Sequence, residues 1–233
     1  MGLSPDYIVF TDGSVRQNSY AGYGVVLYNC HTKQYATFGG ELGHRTISFA
    51  ESYAIAKALG FLASVMNRRG RPVVLILSDS KYCIQSYGEW MEHWAKRARN
   101  EYSDGIWLNK DNGPVQNQVI FKRGRAVISK YSTVNFKFVH INSHLEESSG
   151  KDRKRIINKL SDAGLTIDGT TARAIIYMNA KADAIAGQYS RQCMNALRSG
   201  DFISLRPTNK YFNGTNRECY SKEELKKTNA FKR

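Results

Sequence analysis

Short apolar runs separated by polar and glycine-bearing turns occupy the first part of the chain. They predict strands over residues 7–14, 24–28 and 34–42. The connections between these runs are short, which favours antiparallel neighbours. Two later runs, at residues 73–77 and 135–141, also predict strands. The first of these is continuously apolar, which is typical of a strand buried on both faces.

Helical spacing of apolar residues appears between and after these strands. It predicts helices over residues 48–66, 90–99, 115–130 and 179–197, with a short helix beginning near residue 80. The fourth and fifth strands are reached through helices, so we expect them to run parallel to the first. The predicted fold class is therefore α/β, with a five-stranded mixed sheet and helices on both faces.

Two segments fall outside this plan. Residues 145–178 form a long connection that contains one predicted helix, and residues 199–233 form a polar, basic tail. We therefore expect one domain over residues 1–198, with an inserted segment at 145–178, followed by a C-terminal tail. No Gly-x-x-x-x-Gly-Lys-Ser/Thr loop is present, so the sequence does not support nucleotide hydrolysis of that kind.

The charge of the chain favours a polyanionic partner. Thirty-four Lys and Arg residues against twenty Asp and Glu residues give a formal charge of +14. Such an excess favours binding to phosphate backbones, although a solvated basic surface would look the same at this stage. A membrane surface is a weaker alternative, because neither a basic amphipathic helix nor a lipidation motif accompanies the charge.

The cysteines and the N-terminus point to an intracellular protein. The four cysteines are scattered and include no Cys-x-x-Cys pair, which fits a reducing compartment. Neither a secretory signal nor an apolar stretch of about 20 residues is visible. We expect a cytoplasmic or nuclear monomer without a membrane partner.

Three acidic residues occupy positions where such a fold can place a site. Asp12 lies in or at the end of the first strand, Asp79 ends the fourth, and Glu51 lies on the helix between them. Open α/β sheets bind ligands at strand ends. Taken singly, each residue also has a structural interpretation, because Asp often caps helices or forms turns and a helical Glu is usually solvated.

Four acidic segments together carry a more specific signal. They are Thr11-Asp12-Gly13-Ser14, Ala50-Glu51, Ser78-Asp79-Ser80-Lys81-Tyr82 and Asn179-Ala180-Lys181-Ala182-Asp183. In residue type and order they resemble the ribonuclease H family, with the last segment taken to open the final helix. The resemblance covers most of residues 7–190.

This resemblance implies an endonuclease that hydrolyses the RNA strand of RNA–DNA hybrids. It implies that Asp12, Glu51, Asp79 and Asp183 hold two Mg²⁺ ions, which Mn²⁺ could replace, with Asp12 bridging them. Two such ions can activate the attacking water and stabilise the leaving oxygen. Oxygen ligands suit Mg²⁺, which keeps several waters and binds substrate phosphate.

The family also uses a histidine on a loop after the fifth strand. His144 fits that loop and is the predicted catalytic histidine, with a role in moving protons and releasing product. His140 lies within the predicted strand. We interpret it as a packed or hydrogen-bonded strand residue.

The predicted substrate contacts also follow from resemblance. Residues 90–119 resemble the basic protrusion, or handle, of cellular ribonucleases H, although inward packing of at least one tryptophan is also expected. The contacts are Asn18 on the RNA side, Thr46 and Asn117 at a DNA phosphate, and Trp90, Trp94, Lys96 and Arg97 on the handle.

The chain departs from the family pattern in two places. Ile47 stands in a run that is usually polar and Asn-rich, so minor-groove recognition must be rearranged or weaker here. The segment 145–178 is the second departure.

Two alternative functions remain open, a hybrid-binding module with altered catalysis and a DNA-directed nuclease of the same fold.

Overall fold

The computed structural model describes residues 2–66, 70–98, 105–143, 145–146, 149–199, 211–213 and 216–220. The main strands are β1 (Tyr7–Arg16), β2 (Tyr20–Asn29), β3 (Gln34–His44), β4 (Val73–Ser78) and β5 (Asn135–His140). The helices are α1 (Ile47–Val65), α2 (Lys81–Gln85), α3 (Met91–Lys96), α4 (Gln118–Lys130), α5 (Gly150–Asp162) and α6 (Gly169–Ser199).

The five main strands form one mixed sheet in the order β3-β2-β1-β4-β5. β1, β2 and β3 pair antiparallel, whereas β4 is parallel to β1 and β5 is parallel to β4. The predicted fold class is confirmed. Because β4 is buried along its whole length between two neighbours, its continuous apolar sequence is what its position requires.

Helices cover both faces of the sheet. On one face, α1, the α2–α3 region and α4 pack over a core that includes Leu59, Tyr87 and Phe121. On the other face, α5 and α6 pack through residues such as Leu160 and Ile175. Alternate residues of β1 point into the two cores, as the pleat of a strand demands.

The last helix differs from the prediction. It begins at Gly169, ten residues before the expected start at Asn179, and runs to Ser199. Asp168 caps it, because its Oδ1 accepts a hydrogen bond from the Thr171 amide at 2.7 Å. The Asn179–Asp183 segment therefore lies inside a long helix rather than opening it.

The helix predicted over residues 90–99 begins earlier and ends sooner than expected. A continuous helical stretch runs from α2 through a π-helical turn, Ser86–Trp90, into α3, which ends at Lys96. Counting apolar positions from the tryptophans missed Cys83 and Tyr87, which are buried in the same stretch.

Two further features differ from the prediction. α4 begins at Gln118 rather than at residue 115, because Asn117 has a positive φ of 57° that helical geometry excludes. In the tail, β6 (Tyr211–Asn213) and β7 (Asn216–Tyr220) pair antiparallel, and the sequence analysis predicted neither strand.

A search of the described residues found no helix with the length and apolar character that a membrane span needs.

Candidate active site

Strand register brings Asp12 and Asp79 to the same edge of the sheet. Phe10 pairs with Leu77 in the parallel β1–β4 ladder, and the two aspartates lie two residues beyond this pair. Asp12 is buried, with 8% of its surface exposed, and its Oδ1 accepts a hydrogen bond from the Gly13 amide at 2.8 Å. Asp12, in the middle of β1, and Asp79, just after β4, thus lie side by side beyond the end of the parallel ladder.

A close approach of α1 to β1 brings Glu51 to the same edge. A Cβ at Gly13 would lie 2.6 Å from the Glu51 amide nitrogen and 2.9 Å from Ala50 Cβ. Only glycine leaves room for this contact, which accounts for the glycine that follows Asp12. Glu51 is in turn held from the other side, because its Oε2 accepts a hydrogen bond from Ser80 Oγ at 2.6 Å.

The packing of α6 on β2 places Asp183. Gly24 pairs with Asp12 across the β1–β2 ladder. A Cβ on Gly24 would lie 2.3 Å from the Ala182 carbonyl oxygen, so glycine lets α6 approach the sheet at this point. Ala182 is fully buried there, and its neighbour Asp183 lies beside Asp12 at the sheet edge.

All four predicted carboxylates line one pocket of about 450 Å³. Its wall consists of Asp12, Gly13, Ile47, Glu51, Asp79, Ser143, Leu145, Asn179, Ala180 and Asp183. In the part of the chain that the structure describes, no group of three or more Asp, Glu, His or Cys side chains is drawn together closely enough to ligate a metal ion directly. The carboxylates instead face an open space with room for hydrated ions and a phosphate, which is how Mg²⁺ is usually held.

The electrostatics of this pocket fit a cation. Burial, together with repulsion from Asp79, Asp183 and Glu51, raises the pKa of Asp12 to about 8, against the hydrogen bond from Gly13. Burial and the charge of Asp79 also raise the pKa of Glu51, which the hydrogen bonds from Ser80 and Cys83 partly offset. Carboxylates that repel one another in a buried site lose that repulsion when a divalent ion binds.

We predict that the metal-free protein loses stability as pH rises. The folded-state pKa of Asp12 lies above its unfolded value, so its contribution is complete below about pH 4 and is lost as pH rises through about 8. Between these limits the free energy of unfolding should fall by up to about 1.4 kcal/mol per pH unit. Thermal unfolding in a chelator between pH 5 and 9 measures this.

The control for this experiment is Asp12→Asn, which removes the titrating group while keeping its shape. Its unfolding temperature should depend less on pH and should exceed that of the unsubstituted protein above pH 8. Equal pH dependence of the unfolding temperature in the two proteins would show that titration of Asp12 does not cause the loss of stability.

Sequence reasoning missed several residues that support the carboxylates. Ser80 caps α2 and orients Glu51, and the capping pattern Ser-Asp-Ser could have indicated the first of these roles. Asn179, which is buried, donates from Nδ2 to the Asn142 carbonyl at 3.4 Å and so ties α6 to the loop after β5. No sequence pattern indicated the contact of Asn179 with a loop 37 residues away.

The two candidate histidines differ in what the structure describes. His140 ends β5, and its Nε2 lies 3.1 Å from the carbonyl oxygen of Asp79. A carbonyl only accepts, so Nε2 carries the proton and Nδ1 accepts from Lys159 Nζ at 3.2 Å. Burial and the Lys159 charge lower the pKa of His140.

His144 lies outside the described residues. Ser143 and Leu145, its neighbours in the sequence, line the carboxylate pocket.

The predicted handle forms one wall of a large groove of about 730 Å³. Trp90, Trp94 and Arg97 line it, and Lys96 is exposed nearby on α3. Trp94 is buried and packs edge-on against Phe121, so it supports the groove more than it offers a free face. This is the inward packing expected of at least one tryptophan.

The remaining predicted contacts are spread over the surface. Asn18, exposed at the β1–β2 turn, has a φ of 59° and lies outside the carboxylate pocket. Thr46 caps α1 by accepting from the Phe49 amide at 3.2 Å. Ser48 and Gln116, close in sequence to Thr46 and Asn117, line the groove, so these two segments face each other across it.

The mixed sheet and its acidic pocket define the class of the protein, an α/β protein with a carboxylate site suited to divalent metal ions. A sequence model of the RNase H family matches residues 4–154. The chain therefore belongs to the RNase H family and is a ribonuclease that depends on divalent metal ions. The match ends before Asp183, so the role of that residue rests on its place in the fold.

Relatives and solved structures agree with this membership. A ribonuclease H of Paracidovorax citrulli is 33% identical over 117 residues, covering 50% of this chain and 68% of the relative. One of Aliivibrio salmonicida is 30% identical over 132 residues, covering 56% and 73%. The solution structure of the PFV RNase H domain has a TM-score of 0.55 at 19% identity, covering 81% of this chain and 96% of that one, which shows a shared fold.

Proposed function

We propose that the protein cuts the RNA strand of RNA–DNA hybrids by metal-dependent hydrolysis of a phosphodiester bond. The observation that carries this proposal is the pocket in which Asp12, Glu51, Asp79 and Asp183 meet at the end of the parallel strands. Family membership supplies the substrate class. Part of a foamy viral protease–reverse transcriptase, solved in complex with an RNA/DNA hybrid, has a similar fold, with a TM-score of 0.53 at 18% identity over 81% of this chain and 20% of that one.

We infer that the four carboxylates hold two Mg²⁺ ions, with Mn²⁺ as a possible substitute. When bound, the ions supply an activated water and stabilise the leaving oxygen. Neighbouring residues position the carboxylates that would hold the ions. Gly13 lets Glu51 approach Asp12, and Ser80 orients the Glu51 carboxylate. The raised pKa of Asp12 means that ion binding near neutral pH displaces a proton from this pocket.

Substrate binding is proposed to involve the groove beside the handle. Trp90 and Arg97 line the groove and Lys96 is exposed next to it, so an aromatic ring and two cations can contact the sugar-phosphate of one strand. Asn18, Thr46 and Asn117 stay proposed contacts of the two strands. Ile47, 45% exposed at the pocket wall, offers only apolar contact where the family usually places polar side chains.

Cleavage of matched duplexes tests the function. RNA–DNA, RNA–RNA and DNA–DNA duplexes of one sequence should be incubated with and without Mg²⁺ and with Mn²⁺. We expect cutting of the RNA strand of the hybrid alone, and only with metal. DNA–DNA lacks the 2′-hydroxyls that mark the cleaved strand, and RNA–RNA carries them also on the strand that the DNA-phosphate contacts at Thr46 and Asn117 would meet. Binding without cutting would favour a hybrid-binding module, and cutting of DNA–DNA a DNA-directed nuclease.

We further propose that residues 1–198 form the catalytic domain, with 145–178 as an insertion and 199–233 as an appended tail. The insertion would comprise α5 and the first turns of α6. Support comes from the end of the family match at residue 154 and from the packing of α5 on the sheet face that α6 also covers.

A further inference from the structure

A second group of cations lies beside the carboxylate pocket, on the opposite side of the sheet from the handle. Arg155 and Lys159 of α5 line a cavity of about 230 Å³ together with Ile141, Asn142, Leu145 and Ile156. Leu145 also lines the carboxylate pocket, so the two spaces adjoin. The handle groove, by contrast, is built on the face that carries α1 and α4.

The packing of α5 places these cations beside the carboxylate pocket. Ile156 and Leu160 are buried against the sheet, which directs Arg155 and Lys159, one turn apart, along the edge of that contact. Lys159 Nζ lies 3.2 Å from His140 Nδ1, and the other nitrogen of His140 reaches the Asp79 backbone at 3.1 Å. A single imidazole ring therefore separates Lys159 from a proposed metal ligand.

Arg155 makes a loose ion pair within its own helix. Arg155 approaches Asp152 only at 4.0 Å, and the Asp152 carboxylate also accepts from the Glu146 amide. Burial, followed by the charges of Arg155 and Lys81, lowers the pKa of Lys159, so both cations are close enough to repel it. Cations held this close together favour an anion between them.

We propose that Arg155 and Lys159 bind a backbone phosphate of the cleaved strand, next to the phosphate that reacts. This inference rests on the proposed function, since the carboxylates define which strand is cut. The neighbouring phosphate belongs to that same strand, because the cavity adjoins the pocket in which that strand would be cut. The inserted helix would thus hold the cleaved strand from the sheet face opposite the handle.

Hybrid binding by charge-neutralising variants tests this site. Affinity should be measured by fluorescence anisotropy in a chelator, so that nothing is cut, over a range of salt concentrations. The double variant Arg155→Gln/Lys159→Gln should bind about tenfold more weakly. Its plot of log affinity against log salt should be shallower by about one, because the variant neutralises one phosphate fewer.

The matched control is Lys151→Gln/Lys154→Gln, which also removes two positive charges, at exposed positions of the same helix. It should bind within about twofold of the unsubstituted protein, as expected of solvated cations outside the contact. Equal losses in the control and in Arg155→Gln/Lys159→Gln would overturn the proposal, because they would indicate general attraction by a basic helix.

Two further variants separate phosphate binding from a structural role. Arg155→Gln alone leaves the Lys159–His140 hydrogen bond in place and should still weaken binding. Lys159→Arg keeps the charge and should retain affinity. A loss of affinity that appears only in variants with a lowered unfolding temperature would overturn the site.

Strand identity is tested with single neutral methylphosphonate linkages placed along either strand. One position in the RNA strand, beside the cleavage point, should weaken binding by the unsubstituted protein but not by the double variant. Sensitivity that maps to the DNA strand would overturn the assignment. Failure of the proposed function would appear in the duplex assay, as hybrid binding without cutting. Failure of the α5 phosphate site would leave cutting intact, and hybrid affinity would not change when Arg155 and Lys159 are substituted.

Discussion

Asp12→Asn and Asp79→Asn should each reduce cleavage of the RNA strand by at least about a thousandfold. Each change keeps the side-chain shape and removes a charge that the ions require. Metal ions supply several kcal/mol of stabilisation to such a transition state, and about 1.4 kcal/mol corresponds to a factor of ten in rate. The measurement is single-turnover cleavage of a labelled hybrid in Mg²⁺.

Hybrid binding by the same variants should survive, because neither substitution changes a residue that lines the handle groove or the cavity beside α5. The double variant should be scarcely slower than either single one, since residues that act as a unit are not additive. Asp162→Asn, at an exposed position at the end of α5, is the matched control and should cut normally. Near-normal cutting by Asp12→Asn or Asp79→Asn would contradict the metal assignment.

His144→Ala should slow turnover by about 10²- to 10⁴-fold, the range typical of a positioned acid–base group. Folding and metal binding should be unchanged, because the substitution leaves all four carboxylates in place. Single-turnover rates, thermal unfolding and metal titration together make the measurement.

His140→Ala is the comparison for this experiment. It removes the hydrogen bond to Asp79 and the partner of Lys159, so we expect lower stability as its main effect and a smaller loss of turnover per folded molecule. A stable but slow His140→Ala, beside a normal His144→Ala, would show that the loop after β5 is misaligned with the family.

Much of the fold follows from local sequence. The five strands were predictable because their apolar runs end at turn residues, and the continuous run of β4 marked it as the central buried strand. Parallel pairing followed from the intervening helices. Helix ends were less predictable: Asp168 caps α6 ten residues before the expected start, and one Asp in a polar loop gives no special signal.

The sequence by itself determined the identity of the chemical groups: four carboxylates in characteristic segments, a histidine in a loop, and tryptophans beside cations. Only the tertiary structure decided how they are arranged. The β1–β4 register aligns Asp12 with Asp79, and the contacts at Gly13 and Gly24 bring Glu51 and Asp183 to them.

The same holds for the electrostatics and for the inserted helix. The pKa of Asp12 rises because burial and three carboxylates converge on it, which no local pattern encodes. In the sequence, Arg155 and Lys159 are two cations in a basic stretch. They become a candidate phosphate site only because Ile156 and Leu160 anchor α5 on the sheet beside His140. Local sequence specifies which groups exist, whereas proximity between distant residues is a property of packing.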